Sequence, residues 1–136
     1  MRCRFKIRSC RPNYKKTKTK PKFTAQDKKN LKELETAAKK ITKYLDNYDF
    51  NHAAEAIYHY FWHTFADKII EQSKSRLSSE NEADRAAAQE VLMEILGTSM
   101  KLLHPFMPFV TEAVWQKLPL DKKLPLIIET WPTSKK

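Results

Sequence analysis

Glycine is almost missing from this chain of 136 residues: Gly97 stands alone. Loops that cradle phosphate need several glycines for tight turns and close backbone approach, so no Walker-type loop or dinucleotide fingerprint can be written here. A nucleophile elbow, with a glycine on each side of its serine, is excluded for the same reason. Cysteine is scarce too. Cys3 and Cys10 match no zinc spacing and imply a reducing setting more than a disulfide framework. No apolar run approaches the ~18 residues that a membrane-crossing helix needs. The N-terminus lacks the apolar stretch of a secretory signal, and its Arg-rich start shows little of the amphipathic patterning of a transit peptide, so a cytoplasmic setting is expected. Acid is nearly absent from the first 30 residues, where twelve Lys/Arg meet only Asp27.

That last shortage locates the charge. The net charge is +10, yet residues 31–136 carry 14 Lys/Arg against 15 acids. The excess belongs to an N-terminal segment and not to the folded body. Pro12, Pro21 and the Lys/Thr alternation from Lys15 to Lys20 mark residues 1–23 as a basic, flexible tail or linker; residues 133–136 are expected to be a disordered end. Lys15, Lys16, Lys18, Lys20 and Lys22 are the candidate phosphate contacts, because such a tail suits a polyanion.

Residues 24–132 read as one helical domain. A first helix is expected over 27–45, with Thr24 and Asp27 as a capping box and Leu31, Leu34, Ala38, Ile41 and Leu45 as its apolar stripe. A second is expected over 51–77, capped by Asn51 and stapled by Phe50. Ala54, Ile57, Tyr58, Phe61, Trp62, Phe65 and Ile69 form its core face, leaving Tyr44, Tyr48 and Tyr60 as candidate exposed rings. A third is expected over 80–103, boxed by Ser79 and Glu82. It buries Ala87, Val91, Leu92, Ile95, Leu96, Ser99, Leu102 and Leu103, with Gly97 inside it. His104-Pro105 ends it. A short helix over 109–118, opened by Pro108, turns Val110, Val114, Trp115 and Leu118 inward. Leu126-Ile127-Ile128 reads as an extended piece closed by Trp131-Pro132. The fold class is all-α: an antiparallel bundle of three long helices and one short, with a short extended C-terminal segment.

Chemistry is hard to find. The serines lie in caps and turns, and nothing reads as a triad. Glu55, His59, His63 and Asp67 recur at four-residue spacing, so they share one stripe, but no third and fourth ligand are assigned. Glu–His and His–Asp contacts along a polar face explain the pattern more simply than a metal site. His104 suits a helix end, where it can cap carbonyls.

Two stretches stand out together: Tyr48 to Asp67, continued by Ile70-Glu71 and Lys74, and Leu102-Leu103-His104-Pro105-Phe106-Met107-Pro108-Phe109-Val110-Thr111-Glu112 with Trp115 and Trp131-Pro132. In this wording the chain resembles the helical anticodon-binding domain of class I aminoacyl-tRNA synthetases, with the valine enzyme's residues between the two prolines. The likeness covers about Thr24 to Pro132. It implies a domain that positions tRNA(Val) while an absent catalytic domain of the parent synthetase joins valine to it with ATP and magnesium; no cofactor is implied for this chain. The His-Ile-Gly-His and Lys-Met-Ser-Lys-Ser types of signature are absent, so this chain by itself is not expected to activate valine. By position, Ile70 and Glu71 match the part of the second helix that faces the anticodon, and Lys74 follows one turn later, within reach of phosphate. Residues 1–23 do not match the family's opening helix with its Asn-Lys-Leu type of motif, and the usual C-terminal coiled coil is missing. A cytoplasmic monomer is expected, with no membrane contact. The competing reading is a helical protein-interaction module whose RNA affinity is a non-specific product of its tail.

Overall fold

The computed structural model describes residues 23–119 and 124–132. Cys3, Cys10, the five tail lysines Lys15, Lys16, Lys18, Lys20 and Lys22, and residues 133–136 lie outside the described residues.

The first helix, α1 (Ala25–Asp46), starts at the expected box. The Thr24 hydroxyl accepts from Asp27 N–H at 3.2 Å, and an Asp27 carboxylate oxygen accepts from Thr24 N–H at 2.9 Å. Its stripe buries Leu34, Ala38 and Ile41, with Leu31 and Leu45 half-buried. The helix ends without glycine. Tyr48 takes φ 58°, the left-handed region. Asp49 N–H then reaches the Tyr44 carbonyl and Tyr48 N–H the Leu45 carbonyl, which is the Schellman pattern.

That ending moves the next cap. Asp49, and not Asn51, caps α2 (Phe50–His59), accepting from His52 N–H at 3.3 Å. Phe50 therefore lies inside the helix, exposed, with its ring edge-on to Tyr48 instead of stapling the entry. The rod continues without a break through a π-helical segment (Tyr60–Ile69) into α3 (Ile70–Leu77). The sequence gives a reason for the wider turn. Ala53, Ile57, Phe61, Phe65 and Ile69 repeat at a strict spacing of four. In a 3.6-residue helix each such step drifts ~40° around the axis. The i→i+5 bonding of a π turn winds more slowly and keeps such residues in line. Ala53, Ile57, Phe65 and Ile69 are buried and Phe61 half-buried. Tyr60 lies inward, at 6% exposed, and Tyr58 and Trp62 lie outward. The expected core face assigns these three rings the opposite way; Tyr60 follows buried Ala53 and Ile57 at seven and three residues, so the face that holds those two takes Tyr60 and leaves Tyr58 and Trp62 outside.

The next helix, α4 (Glu82–Leu103), is capped by Asn81, whose side chain takes Ala83 N–H at 3.1 Å and Asp84 N–H at 3.4 Å. The expected Ser79–Glu82 box does not form, because Asn81 serves two orphan donors at once and Glu82 becomes the first helical residue. The expected apolar face holds: Ala87, Val91, Ile95, Ser99, Leu102 and Leu103 are buried, with Leu92 and Leu96 half-buried. Gly97 is buried against Trp115, where an added Cβ would stand 3.6 Å from the indole.

Helix α5 (Pro108–Lys117) opens on Pro108 as expected. Thr111, Trp115 and Leu118 face inward, with Val114 partly buried; Val110 is 60% exposed. Residues Leu126–Ile128 form a 3-10 turn and not an extended piece. Glu112 pulls the Leu126 N–H to its carboxylate at 2.7 Å. The coiled backbone then places only Leu126 in the core and leaves Ile127 and Ile128 outside. The end is tied down by Trp131, whose indole N–H donates to the Thr42 hydroxyl at 3.0 Å.

The second rod runs antiparallel to both α1 and α4, with α2 against α1 and α3 against α4, and α1 also packs on α4. Among the described residues there are helices and turns but no strand. One core cluster centres on Ile41, Ile57, Leu102 and Trp115; the other centres on Leu34, Phe65, Ile69 and Ile95.

Candidate nucleic-acid interface

The second rod presents a polar edge and an aromatic edge side by side. Glu55, His59, His63 and Asp67 recur at four-residue spacing across the junction of α2 with the π segment. The His59 and His63 rings lie 5.2 Å apart, and His63 Nδ1 stands 3.6 Å from an Asp67 oxygen. Among the described residues no group of three or more His, Cys, Asp or Glu is placed to hold a metal ion. The stripe makes side-chain contacts along a solvent face.

One residue around the rod, Tyr58 and Trp62 stand 58% and 53% exposed. Their rings are parallel within 3°, with centroids 6.5 Å apart. Both belong to the expected core face, and the structure removes them from it.

On the other side of the polar edge, a groove of about 880 Å³ separates α1 from the rod. From α1 come Lys29, Lys32 and Lys40; from the rod come His52, His59 and His63; Glu33 and Glu55 are the acids among its lining. Lys40 Nζ sits 5.8 Å over the Tyr44 ring, which stacks on His52 at 5.6 Å. Tyr44 is thus half-buried in the wall, while Tyr48 is fully open at 81%. Tyr60 also lines the groove. Its hydroxyl is buried and makes no hydrogen bond among the described residues. Burial, and then the negative charge of Glu33, hold its phenol proton well above the ordinary range.

Ile70, Glu71 and Lys74 come together at the start of α3. Ile70 is half-buried against the second core cluster. Glu71 and Lys74 are exposed and paired with one another. An exposed pair of this kind stabilises by only about 0–1 kcal/mol, so either partner can exchange it for a base or a phosphate at little cost. What fixes α3 is Arg76. Its guanidinium lies 2.7 Å from buried Asp27 at the start of α1 and 2.7 Å from Asp84 at the start of α4. Burial alone would raise the Asp27 pKa. Hydrogen bonds from Thr24 N–H, Arg76 and the Thr24 hydroxyl overcome it and hold the carboxyl below its usual value.

The second distinctive motif is a structural corner. Thr111 gives its hydroxyl proton to the Met107 carbonyl at 2.8 Å, so it accepts from His104 Nδ1 at 2.9 Å, tying the end of α4 to α5. Glu112 receives Leu126 N–H and Gln116; the Gln116 amide first and the Leu126 amide second depress its pKa. The Trp115 indole donates to the Leu124 carbonyl at 3.0 Å. The motif therefore closes the bundle over its C-terminal segment. His104 stands at the helix end as expected, but its ring bonds the Thr111 hydroxyl instead of capping a carbonyl.

Sequence reasoning missed Tyr58, Trp62 and the basic wall of α1. The unbroken four-residue repeat from Ala53 to Ile69 carried the register of the rod. Lys29, Lys32, Thr36 and Lys40 recur at helical spacing, a second legible signal.

Residues 27–136 match the family described as the anticodon-binding domain of tRNA ligase. A valine--tRNA ligase of Thermotoga maritima is 47% identical over 106 residues, 78% of this chain and 12% of that protein. One from Fervidobacterium nodosum is 43% identical over 111 residues, 82% of this chain and 12% of its own length. One from Petrotoga mobilis is 38% identical over 122 residues, 88% of this chain and 14% of its own length. The chain spans about one eighth of the length of the curated relatives it matches.

Proposed function

The chain belongs to the family of anticodon-binding domains of tRNA ligases, and from that premise we propose that it is the part of a valine–tRNA ligase that grips tRNA(Val) by its anticodon arm. The observation that carries this reading is the likeness to valine--tRNA ligases along most of the chain. The geometry supports it. Lysines of α1 offer charge to phosphates, which supplies affinity without sequence preference. Exposed side chains of the rod are available to unstacked bases, which supply specificity. Ile70 and Glu71 are the proposed base contacts; Lys74, with Lys15, Lys16, Lys18, Lys20 and Lys22, meets phosphate.

Aminoacylation, with its ATP and magnesium, falls to a catalytic body of the parent enzyme. That body is also the proposed protein partner. The side chains of Phe109 and Val110 on α5, and of Ile127 and Ile128 on the turn packed against it, are 60–89% exposed and suit an apolar contact. Among the described residues no helix is long and apolar enough to cross a membrane. A monomeric, cytoplasmic domain completes the proposal.

The test is a fluorescence-anisotropy titration with valine tRNA and a non-cognate tRNA at two salt concentrations. A preference for valine tRNA that survives added salt is expected. Glu71→Ala is expected to erase about tenfold of that preference, as loss of one charged hydrogen bond does, with smaller change in total binding. Equal weakening on both RNAs refutes the role of Glu71. Equal binding that collapses with salt refutes anticodon reading by this chain.

A further inference from the structure

We infer that Tyr58 and Trp62 form a stacking surface for unstacked bases of an RNA loop, a second recognition element beside Ile70, Glu71 and Lys74; this rests on the tRNA-binding reading. Three observations carry it. The first is exposure. These are large rings in the most aromatic stretch of the chain, yet both stand more than half open while Tyr60 and Phe65 around them are buried. The second is orientation. The two rings are parallel within 3° at a centroid separation of 6.5 Å, so bases lying on them take parallel planes. Tyr58 is braced edge-on by His59 at 6.3 Å and by His63 at 6.4 Å, so the surface is set before a ligand arrives. The third is position. His59 and His63 are shared with the lysine-lined groove, which puts cations for a backbone on one side of this edge and ring faces for bases on the other. Proteins that hold single strands combine these two parts, and a ring face accepts any base. Trp62, Ala66, Ile70 and Lys74 follow one another at four-residue intervals, which leads the same strand from the rings to the α3 contacts.

The experiment uses the full chain, with a labelled hairpin carrying the anticodon loop of valine tRNA and a fully paired RNA duplex of the same strand length. Trp62→Ala is expected to weaken hairpin binding by about 5- to 150-fold, the range seen when one base loses its aromatic partner. Tyr58→Ala acts in the same direction, and Trp62→Phe, which keeps a ring, restores most of the loss. Duplex binding and the salt dependence of hairpin binding stay unchanged, because no cation is removed. Failure of the wild type to bind the hairpin overturns both this inference and the function it rests on. Wild-type binding that both alanine variants retain overturns the stacking surface alone. Equal loss on hairpin and duplex, with a lower melting temperature, makes Trp62 a packing residue and overturns it. Self-association that Trp62→Ala abolishes while hairpin binding is unchanged makes the face a protein contact and overturns it.

Discussion

Replacing Arg76 by methionine tests the ionic joint that holds three helix ends together. Arg76 is 20% exposed in its side chain, Asp27 5% and Asp84 35%. Methionine keeps the aliphatic bulk and removes the cation. Asp27 then keeps its cap bonds from Thr24 but loses its charge partner in a site that excludes water. Breaking a buried pair costs about 3–5 kcal/mol, and the openness of Asp84 favours the lower end, about 3 kcal/mol. At ~4 °C per kcal/mol for a domain of this size, Tm should fall by about 12 °C. The pH profile makes the test sharper. In the wild type the Asp27 pKa is depressed, so its contribution is present above the ordinary carboxylate value near 3.9 and is lost as pH falls through the folded value. Without Arg76 the burial of Asp27 is opposed by the Thr24 bonds alone, its pKa rises, and the variant is penalised only while Asp27 stays ionised. The stability gap should therefore narrow as pH falls from the variant's folded Asp27 pKa towards the depressed wild-type value. Urea unfolding followed by circular dichroism at pH 7 and pH 3.5 measures both. A loss under ~1 kcal/mol at pH 7, or a gap independent of pH, would mean that the joint behaves as an ordinary surface pair and that the argument from burial is wrong.

Two further substitutions probe the packing. Gly97→Ala should raise stability by about 0.5–1 kcal/mol, the helical cost of glycine, because the new methyl meets Trp115 at an ordinary 3.6 Å; a lower melting temperature would show that the two helices cannot give even that room. Tyr60→Phe should stabilise by about 1 kcal/mol by removing a buried hydroxyl that makes no hydrogen bond among the described residues, and should leave tRNA affinity unchanged; a loss of either would reveal a bonding partner for that hydroxyl.

Much of the bundle was legible in local patterns. The stripe from Leu31 to Leu45 and the reciprocal Thr24–Asp27 bonds depend on residues within a turn or two of one another. The same is true of the break at His104-Pro105 and the start at Pro108. Such features survive in any tertiary context. The caps at Asp49 and Asn81 were misplaced for a different reason. Several residues competed for each position, and the winner depended on how the preceding helix ended or on how many donors a side chain reached. The candidate site was only half legible. Ile70, Glu71 and Lys74 came from resemblance, and nothing in the spacing of residues distinguishes an exposed helix edge from a contact.

The sequence by itself determined that this is a helical, glycine-poor domain without nucleotide-binding loops, with its excess charge at the N-terminus and its family written in two stretches. Tertiary structure decided which aromatic rings are core. The register of residues 50–77 hangs on the local pitch, and packing against α1 and α4 rewards a strict four-residue repeat, which favours the π turn. Packing enclosed the face of Ala53 and Ile57, which buries Tyr60 and leaves Tyr58 and Trp62 outside. The four-residue repeat is written in the sequence, but only packing against α1 and α4 decides which of the neighbouring rings are enclosed.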